Sequence, residues 1–308
     1  MARAEVRAVG AAVRHAREER SLALLFLLPT VVVVFGTYLY PAVLTLIFSL
    51  GRVDLTIFGV ERFVGFANYL NALREPYYRD ALWRTLYLAG VVVGVGIPLA
   101  LALAMLLNRP FAGRGLLRLL VLLPWAIPPV VTGVVWGQLF HADFGLVNAI
   151  LTRLGIINEY IVWLGDPSLA LKVIITALIW QGLPLGVLVL LSGLQTIPQI
   201  LYEAASIDGA SDWQQFLHVT LPMMIPFVIP VAVLRLISAV KAFDAIFVLT
   251  RGGPGQATTT LNYYVYLEAF EFLDIGYGAA IAYMLLVVIA LVIAAGAVAA
   301  RVSQRALS

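Results

Sequence analysis

The most informative part of the chain is a polar segment between two long apolar runs, Glu203–Pro222, which reads EAASIDGASDWQQFLHVTLP. Just before it, Pro198 suits the first turn of a helix, because proline has no N–H to leave unpaired there. That helix is predicted to end where Gly209 can supply a left-handed cap. Ser211 and Gln214 then have the spacing of a capping box, which starts a second helix. The segment therefore predicts two short helices joined at a glycine rather than a flexible linker.

The second of these helices is predicted to be amphipathic. One face collects four side chains at helical spacing: Trp213, Phe216, Leu217 and Thr220. Pro222 is predicted to separate the helix from the next apolar run. An alternative is an amphipathic turn that lies on a membrane surface. The segment contains no Lys or Arg to hold anionic lipid, which weighs against that alternative.

Composition places the chain in a membrane. Hydrophobic residues make up 62% of the 308 residues and charged residues only 12%, whereas about a quarter of a typical soluble domain is charged. The net charge of +3 is too small to indicate nucleic acid as a partner. There is no cysteine, which excludes disulfides, thiolate catalysis and cysteine metal sites. The three histidines lack the spacing of metal ligands: His15, His141 and His218.

Six apolar runs are each long enough to cross a bilayer, which takes about 20 residues. They cover about 22–50, 81–107, 117–140, 169–193, 223–249 and 277–300. Helix is expected throughout, because every backbone polar group in hydrocarbon must be paired within the protein. The first run is too long for the core of a signal peptide, so we expect an uncleaved span. The sequence predicts an all-α integral membrane protein with a six-helix domain over 22–300 and a polar loop, 194–222, between the fourth and fifth helices.

Lys and Arg near the ends of the runs indicate the orientation. With the N-terminus inside, ten arginines lie on the inner side and eight Lys or Arg residues on the outer side. The inner cations are denser, because the outer loops are longer and the 194–222 loop contributes none. The sequence therefore predicts that both tails, 1–21 and 301–308, are cytoplasmic.

No catalytic motif occurs in the chain. It has no Gly-x-x-x-x-Gly-Lys phosphate loop, no His-Glu-x-x-His and no Gly-x-Ser-x-Gly. The only acidic residue within the six runs is Asp244, so the paired aspartates of an intramembrane protease are missing as well. The sequence predicts a non-enzymatic protein, and ATP that drives it would have to bind to another subunit.

Charge enters the membrane in the fifth run, at Arg235, Lys241 and Asp244. Such residues are costly in hydrocarbon and usually line a cavity or contact another subunit. Lys241 and Asp244 are three residues apart and are expected to pair on one helix face. Two interpretations remain open: the charges pair at a helix–helix interface, or their face borders a polar translocation path.

Three further residues are candidates for that path, namely Trp180, Gln181 and Phe243. A tryptophan can stack on the apolar face of a sugar, and Gln offers both a hydrogen-bond donor and an acceptor. The alternative for Trp180 is ordinary packing beside the small residues Gly182 and Gly186.

The connections on the predicted outer side are expected to be ordered. Residues 141–168 contain a predicted short helix, Val147–Leu154, that a glycine ends. Residues 51–80 mix aromatic side chains with charges, which is typical of an interfacial belt or of a surface for an external partner. The Gly252-Gly253-Pro254 segment predicts a turn that ends the fifth run.

Two motifs carry a resemblance to a known family. The pattern Glu-Ala-Ala, three residues, Gly209, nine residues and Val-x-Leu-Pro resembles the signature of permease subunits in bacterial ATP-binding-cassette importers, with Val219 where the family usually has Ile. The segment Ala242–Phe270 is similar to the carbohydrate-importing branch of the maltose and glycerol-phosphate type. The residues that match are Phe243-Asp244, Leu249-Thr250, Gly252-Gly253-Pro254 and Thr258–Thr260. The resemblance covers about 22–300 and lacks the extra N-terminal spans and external domain of the longest members.

This resemblance implies a subunit of a bacterial inner-membrane importer that moves a sugar-type substrate by alternating access. Its implied partners are a homologous second permease, two ABC ATPase subunits and an extracytoplasmic solute-binding protein. ATP and Mg²⁺ would be held by the ATPase subunits, and this chain would carry no cofactor. The 194–222 loop would be a cytoplasmic coupling loop that receives ATPase motion through Glu203, Ala204, Ala205, Asp208, Gly209 and Ala210.

Two alternatives remain at this point. One is an importer of the same kind for another solute, such as a polyamine or a phosphate ester. The other is a stand-alone secondary transporter, which would explain the apolar runs and the charges within them but would leave the 203–209 motif unexplained.

Overall fold

The computed structural model describes residue 22, residues 25–54 and residues 59–307. The predicted tail 1–21 lies outside the described residues. The elements are α1 Leu25–Ser49, β1 Gly51–Asp54, β2 Gly59–Phe63, α2 Ala67–Arg74, α3 Pro76–Asn108, α4 Arg114–Ala126, α5 Pro129–Leu139, α6 Leu146–Arg153, α7 Ala170–Leu194, α8 Gln199–Ile207, α9 Asp212–Val240, α10 Asp244–Leu249, α11 Leu261–Tyr266 and α12 Ile275–Leu307. The predicted helical membrane protein is confirmed, with one short antiparallel hairpin, β1–β2, added to it.

Five helices of the described chain are long and apolar enough to cross a membrane by themselves: α1, α3, α7, α9 and α12. Their limits differ from those of the apolar runs. The helix α3 begins at Pro76, five residues before the second run. The last helix continues to Leu307 instead of ending at 300, so most of the predicted tail 301–308 extends α12. The fourth of these helices, α9, begins at Asp212, eleven residues before the fifth apolar run, because it incorporates the second helix of the polar loop.

The third apolar run is not one helix, contrary to the prediction. It forms α4 and α5, which meet at an angle of 105°. Between them Ile127 has an extended backbone (φ −87°, ψ 126°). The cause is Pro128 and Pro129, because a proline pushes the residue before it out of the helical region. The described part of the chain therefore has six membrane-length elements only if this bent pair counts as one.

The fifth apolar run is also interrupted, at 241–243, where the prediction had a helix to 249. Lys241 is the C-terminal cap of α9, and α10 starts three residues later at Asp244. The carbonyl of Lys241 accepts a hydrogen bond from the Asn262 side chain at 2.8 Å. This distant partner satisfies a carbonyl that the broken helix leaves unpaired.

Pro222 does not separate the second loop helix from the following span, contrary to the prediction. A π-helical turn at Phe216–Thr220 joins them into the single rod α9. The wider turn, closed by the N–H of Leu221 on the carbonyl of Phe216, accommodates the proline ring without ending the helix.

The core follows α3 and α7, which lie side by side through the middle of the bundle. Two clusters of buried side chains form along them. One contains Leu88, Ile174, Ile246 and Ile281, and the other contains Leu107, Leu190, Met224 and Val231. In contrast, the most apolar stretch of α1 has no residue that is buried against the rest of the described chain. This helix packs on α12, where the Tyr283 hydroxyl donates to the Ala42 carbonyl.

The connection 141–168 is ordered around one buried amide. The predicted helix is confirmed as α6, and Gly155 ends it in the left-handed conformation (φ +70°). Asn148, on α6, is fully buried. Its amide nitrogen donates to the Ile161 carbonyl at 3.0 Å, and its oxygen accepts from the Trp163 indole N–H at 2.8 Å. The satisfied amide ties the returning chain to the helix.

The Gly-Gly-Pro segment forms the predicted turn, and the threonines after it hold the turn in place. Gly252 has φ +82°, and a Cβ there would lie 2.7 Å from the Thr259 hydroxyl. Thr250 and Thr258 share a hydrogen bond of 2.7 Å between their hydroxyls, and Thr258 also donates to the Gly253 carbonyl at 2.8 Å. The turn therefore lies against buried polar side chains rather than at a free surface.

Candidate functional site

A cavity of about 430 Å³ lies where α9 breaks, beside α7 and the bend between α4 and α5. Its wall includes five of the six residues that the sequence singled out for a path: Gln181, Arg235, Lys241, Phe243 and Asp244. The sixth, Trp180, does not line it. The indole of Trp180 packs edge-on against Trp136 on α5, with 6.0 Å between ring centroids. This contact is side-chain packing, although with Trp136 rather than beside Gly182 and Gly186.

Arg235 reaches from α9 into α7. Its Nη2 donates to the Leu178 carbonyl at 2.9 Å. The guanidinium lies directly over Gly182, where an added Cβ would come within 1.5 Å of Nη1. A carbonyl has two lone pairs, so that of Leu178 can accept from arginine as well as from its own helix. A glycine is therefore required at 182 for the arginine to lie in this position.

The predicted ion pair between Lys241 and Asp244 is absent. Among the described residues the ion pairs within 4.0 Å are Arg84–Asp80 and His141–Asp143. The pairing was expected from helical spacing, but the backbone leaves the helix between the two residues, where Phe243 has φ −130° and ψ −56°. Both charged residues line the cavity instead.

Aromatic and amide groups complete the wall of the cavity. Phe243 packs against Phe247 and Tyr266, with ring centroids 5.4 and 5.2 Å apart. Trp125, at the end of α4, also lines the cavity and remains 67% exposed. Sequence reasoning missed Trp125 because it treated the third run as one helix. The prolines at 124, 128 and 129 were the signal for a bend that brings this indole to the cavity.

At the other end of α7, the polar loop forms the predicted helix–glycine–helix element, α8–Gly209–α9. Gly209 has φ +77°. Its N–H donates to the Ser206 carbonyl at 3.1 Å, and the N–H of Ala210 donates to the Ala205 carbonyl at 2.9 Å. These two bonds are those of a Schellman motif, which satisfies the last carbonyls of α8. A Cβ at 209 would meet nothing within 4 Å, so it is the backbone conformation alone that favours glycine there.

Side-chain hydrogen bonds hold the start of α9 against α8. Ser211 and Gln214 form the predicted capping box, in which the Gln214 side chain accepts from the Ser211 N–H at 2.8 Å. The Tyr202 hydroxyl on α8 and the buried Thr220 hydroxyl on α9 lie 2.9 Å apart. Thus Thr220 turns inward, whereas Trp213, predicted on the same face, is 66% exposed.

The surface of this element is apolar and open. Ile207 is 87% exposed and Ile200 is 64% exposed. A cleft of about 240 Å³ lies where α8 meets α9, lined by residues that include Ala205, Asp208, Gly209, Ala210 and His218. Glu203 and Ala204 are exposed on the same helix, α8.

Comparison with known proteins identifies the family. Residues 96–307 match the family described as "binding-protein-dependent transport system inner membrane component". The chain belongs to this family. This membership confirms the resemblance found in the sequence, and it shows that the chain is a membrane component of a transport system. The chain is a permease-type transport subunit.

Two curated relatives share about 36–40% of their residues with this permease-type chain. A trehalose/maltose transport system permease protein of Thermococcus litoralis is 40% identical over 84% of this chain and 85% of the relative. A sulfoquinovosyl glycerol transport system permease protein of Agrobacterium fabrum is 36% identical over 86% of this chain and 85% of the relative.

Solved structures share the fold. A chain of a bacterial ABC transporter involved in the import of the acidic polysaccharide alginate superposes with a TM-score of 0.80, over 95% of this permease-type chain and 98% of that one, at 23% identity. A chain of the MetNI methionine ABC transporter gives a TM-score of 0.53 over 74% of this chain and 96% of that one, at 19% identity.

Proposed function

We propose that the chain is one of two permease subunits of an ATP-driven importer, and that its substrate is a sugar or a sugar-like solute delivered by a binding protein. The two curated relatives are named for transport of saccharides or a glycoside. A further solved structure of similar fold, with a TM-score of 0.78, is of a bacterial alginate ABC transporter in complex with an alginate pentasaccharide-bound periplasmic protein. These names support the sugar class and the binding-protein partner without identifying the solute.

The observation that carries the proposal is the cavity at the break of α9. A sugar presents hydroxyl groups that need hydrogen-bond donors and acceptors and a C–H face that stacks on aromatic rings. The cavity offers the Gln181 amide and the charged ends of Lys241 and Asp244, together with the Trp125 and Phe243 rings. Few polar groups among apolar walls are typical of small-molecule sites. In the proposed importer this cavity opens onto the path between the two permeases.

The helix–glycine–helix element is proposed to dock an ATPase subunit. Its exposed Glu203 and small Ala204 would enter a groove of the partner, and the cap at Gly209 would fix the angle at which α8 is presented. ATP and Mg²⁺ would be bound by that partner, and no catalytic step would fall to this chain. Nucleotide-driven movement of α8 would then rock α7 and α9, which carry the cavity residues.

The proposed placement is the bacterial inner membrane with both termini in the cytoplasm. The bent pair α4–α5 counts as the third of six spans in this arrangement. The α8 element then faces the cytoplasm, and the hairpin with α6 faces the outside. The density of arginines near the α8 end supports this orientation.

Affinity purification of the tagged chain from its native cells tests the proposal. Two ATPase subunits and a second permease should be retained and identified by mass spectrometry. Gln181→Leu should then reduce ATP-driven uptake by about tenfold without reducing subunit yield, because a hydrogen bond from a half-buried amide to a polar solute contributes on the order of 1.5 kcal/mol. Gln138→Leu, on exposed α5 and outside the cavity, is the matched control and should leave uptake unchanged. Purification of the chain without any ATPase would contradict the proposal.

A further inference from the structure

A cluster of three arginines lies at the α8 end of the bundle, around the short connection from α3 to α4. Arg109 directly follows α3, and Arg114 and Arg118 are the first and fifth residues of α4. The positive-inside tendency explains why cations gather near such an end. It does not explain why two of them are half-buried, as Arg114 and Arg118 are.

The two half-buried guanidinium groups lack the partners that buried charge requires. The Nε atoms of Arg114 and Arg118 are buried and make no hydrogen bond with the described residues. No Asp or Glu of that part of the chain lies within 4.0 Å of either side chain. The one contact, from Nη2 of Arg118 to the Leu107 carbonyl, is long at 3.4 Å and neutral. Buried polar and charged groups are normally paired, so this site is short of an anion.

The local geometry concentrates the positive charge. Residues four apart on a helix are neighbours, and like charges at that spacing repel each other. Both arginines also lie in the first turns of α4, a helix of 13 residues, where the unpaired N–H groups add positive potential. Gly113, with φ +87°, brings the chain into the helix at this point. An anion held by both arginines would offset this repulsion and supply acceptors for their N–H donors.

The surroundings indicate the kind of anion. The opposite face of α4 is a stripe of exposed leucines: Leu116, Leu119, Leu120 and Leu123, each at least 50% exposed. This helix is therefore apolar on its outward face and cationic on the other face near its N-terminal end, which places the arginines close to the headgroup level of a helix that contacts hydrocarbon. Guanidinium groups bind phosphate oxygens through paired N–H donors.

We infer that Arg109, Arg114 and Arg118 form a binding site for the phosphate group of an anionic phospholipid. The headgroup would lie between the end of α3 and the start of α4, with its acyl chains passing along the helix bundle. A basic pocket between helices on the proposed cytoplasmic side is a known kind of headgroup site. The inference does not depend on the transported solute or on ATP.

Lipid binding to the purified, delipidated complex tests the inference. Native mass spectrometry would compare dioleoyl-phosphatidylglycerol with dioleoyl-phosphatidylcholine. We expect the anionic lipid to bind at least tenfold more tightly to the wild type. The double variant Arg114→Gln/Arg118→Gln should lose about 30-fold in affinity for it, because each arginine near the surface contributes about fivefold. Arg153→Gln, an exposed cation on α6, is the control and should keep the preference.

Three results would overturn the inference: equal binding of the two lipids, an unchanged preference in the double variant, or loss of the preference in Arg153→Gln. Inorganic phosphate at 10 mM separates a lipid site from a site for a soluble anion. If phosphate displaces the lipid completely or stabilises the complex to the same extent, the lipid assignment is wrong.

If the double variant fails to fold, Arg109→Gln replaces it, because Arg109 is exposed and outside both helices. That variant should weaken phosphatidylglycerol about fivefold, and unchanged binding would again contradict the site.

Discussion

At the scale of single residues, Gly182 controls the position of the arginine in the cavity. A Cβ there would overlap the guanidinium of Arg235, whose end can swing away at the cost of its bond to the Leu178 carbonyl. We expect Gly182→Ala to leave the chain folded and assembled but to reduce the unfolding free energy by about 1.5–3 kcal/mol, the value of a hydrogen bond to a charged group. The arginine displaced into the cavity should also reduce uptake.

The matched control is Gly94→Ala, because a Cβ at that position of α3 would meet nothing within 4 Å. It should be neutral or slightly stabilising, since alanine is the better helix former. Thermal unfolding of the purified complex and uptake by proteoliposomes measure both effects. If the two variants have the same unfolding temperature and the same uptake rate, the position of the Arg235 side chain matters for neither stability nor transport.

Asn148 is a second residue whose substitution has a specific predicted effect, here on the stability of the 141–168 connection. It is fully buried and joins α6 to Ile161 and Trp163. Asn148→Leu should leave those backbone and indole groups unpaired and destabilise the 141–168 connection by about 2–3 kcal/mol. Limited proteolysis should then cut within this connection. Thr152→Ala, exposed on the same helix, should cause no new cleavage. If the 141–168 connection of Asn148→Leu resists proteolysis as well as that of the wild type, the Asn148 amide does not hold the connection in place.

At the scale of elements, the conformation of Gly209 is the feature on which docking of α8 depends. Its φ of +77° disfavours any β-branched residue, although there is space for a side chain. We expect Gly209→Val to insert normally but to lose the ATPase subunits during purification or to lose stimulation of ATP hydrolysis by the loaded binding protein. Gly209→Asn should retain most of both, because Asn tolerates the left-handed conformation. Full assembly and normal transport of the valine variant would remove α8 from the mechanism.

The starts and ends of helices could be predicted from the sequence wherever neighbouring residues determine them. The capping box at Ser211, the left-handed cap at Gly209 and the end of α6 at Gly155 all follow from residue type and spacing, and the structure has them. The bend between α4 and α5 was also predictable from Pro128 and Pro129, but the apolar character of the run concealed it.

The break of α9 could not be predicted in this way. Lys241, Ala242 and Phe243 include neither proline nor glycine. The broken end is satisfied by a residue 21 positions later, because the Asn262 side chain donates to the Lys241 carbonyl. Local patterns do not report such a tertiary contact. The same break separates Lys241 from Asp244 and lies beside the cavity. Five of the six residues named from the sequence line that cavity, but their mutual geometry could not be predicted from local patterns.

At the scale of the whole molecule, orientation can be tested without background labelling, because the chain contains no cysteine. Thr152→Cys on α6 and Ser206→Cys on α8 each introduce one exposed thiol at opposite ends of the bundle. A membrane-impermeant maleimide should label the first in intact cells with a permeable outer membrane. It should label the second only after the inner membrane is opened. The reverse pattern would invert the proposed topology.

The most direct test of the proposed importer is the energy source of transport. The purified complex would be reconstituted in proteoliposomes and supplied with the solute that its binding protein retains on purification. We expect uptake only with ATP on the α8 side and the binding protein on the other, and none with a proton or sodium gradient alone. Gradient-driven uptake by this chain without ATPase subunits would contradict the proposal, and the protein would then be a secondary transporter.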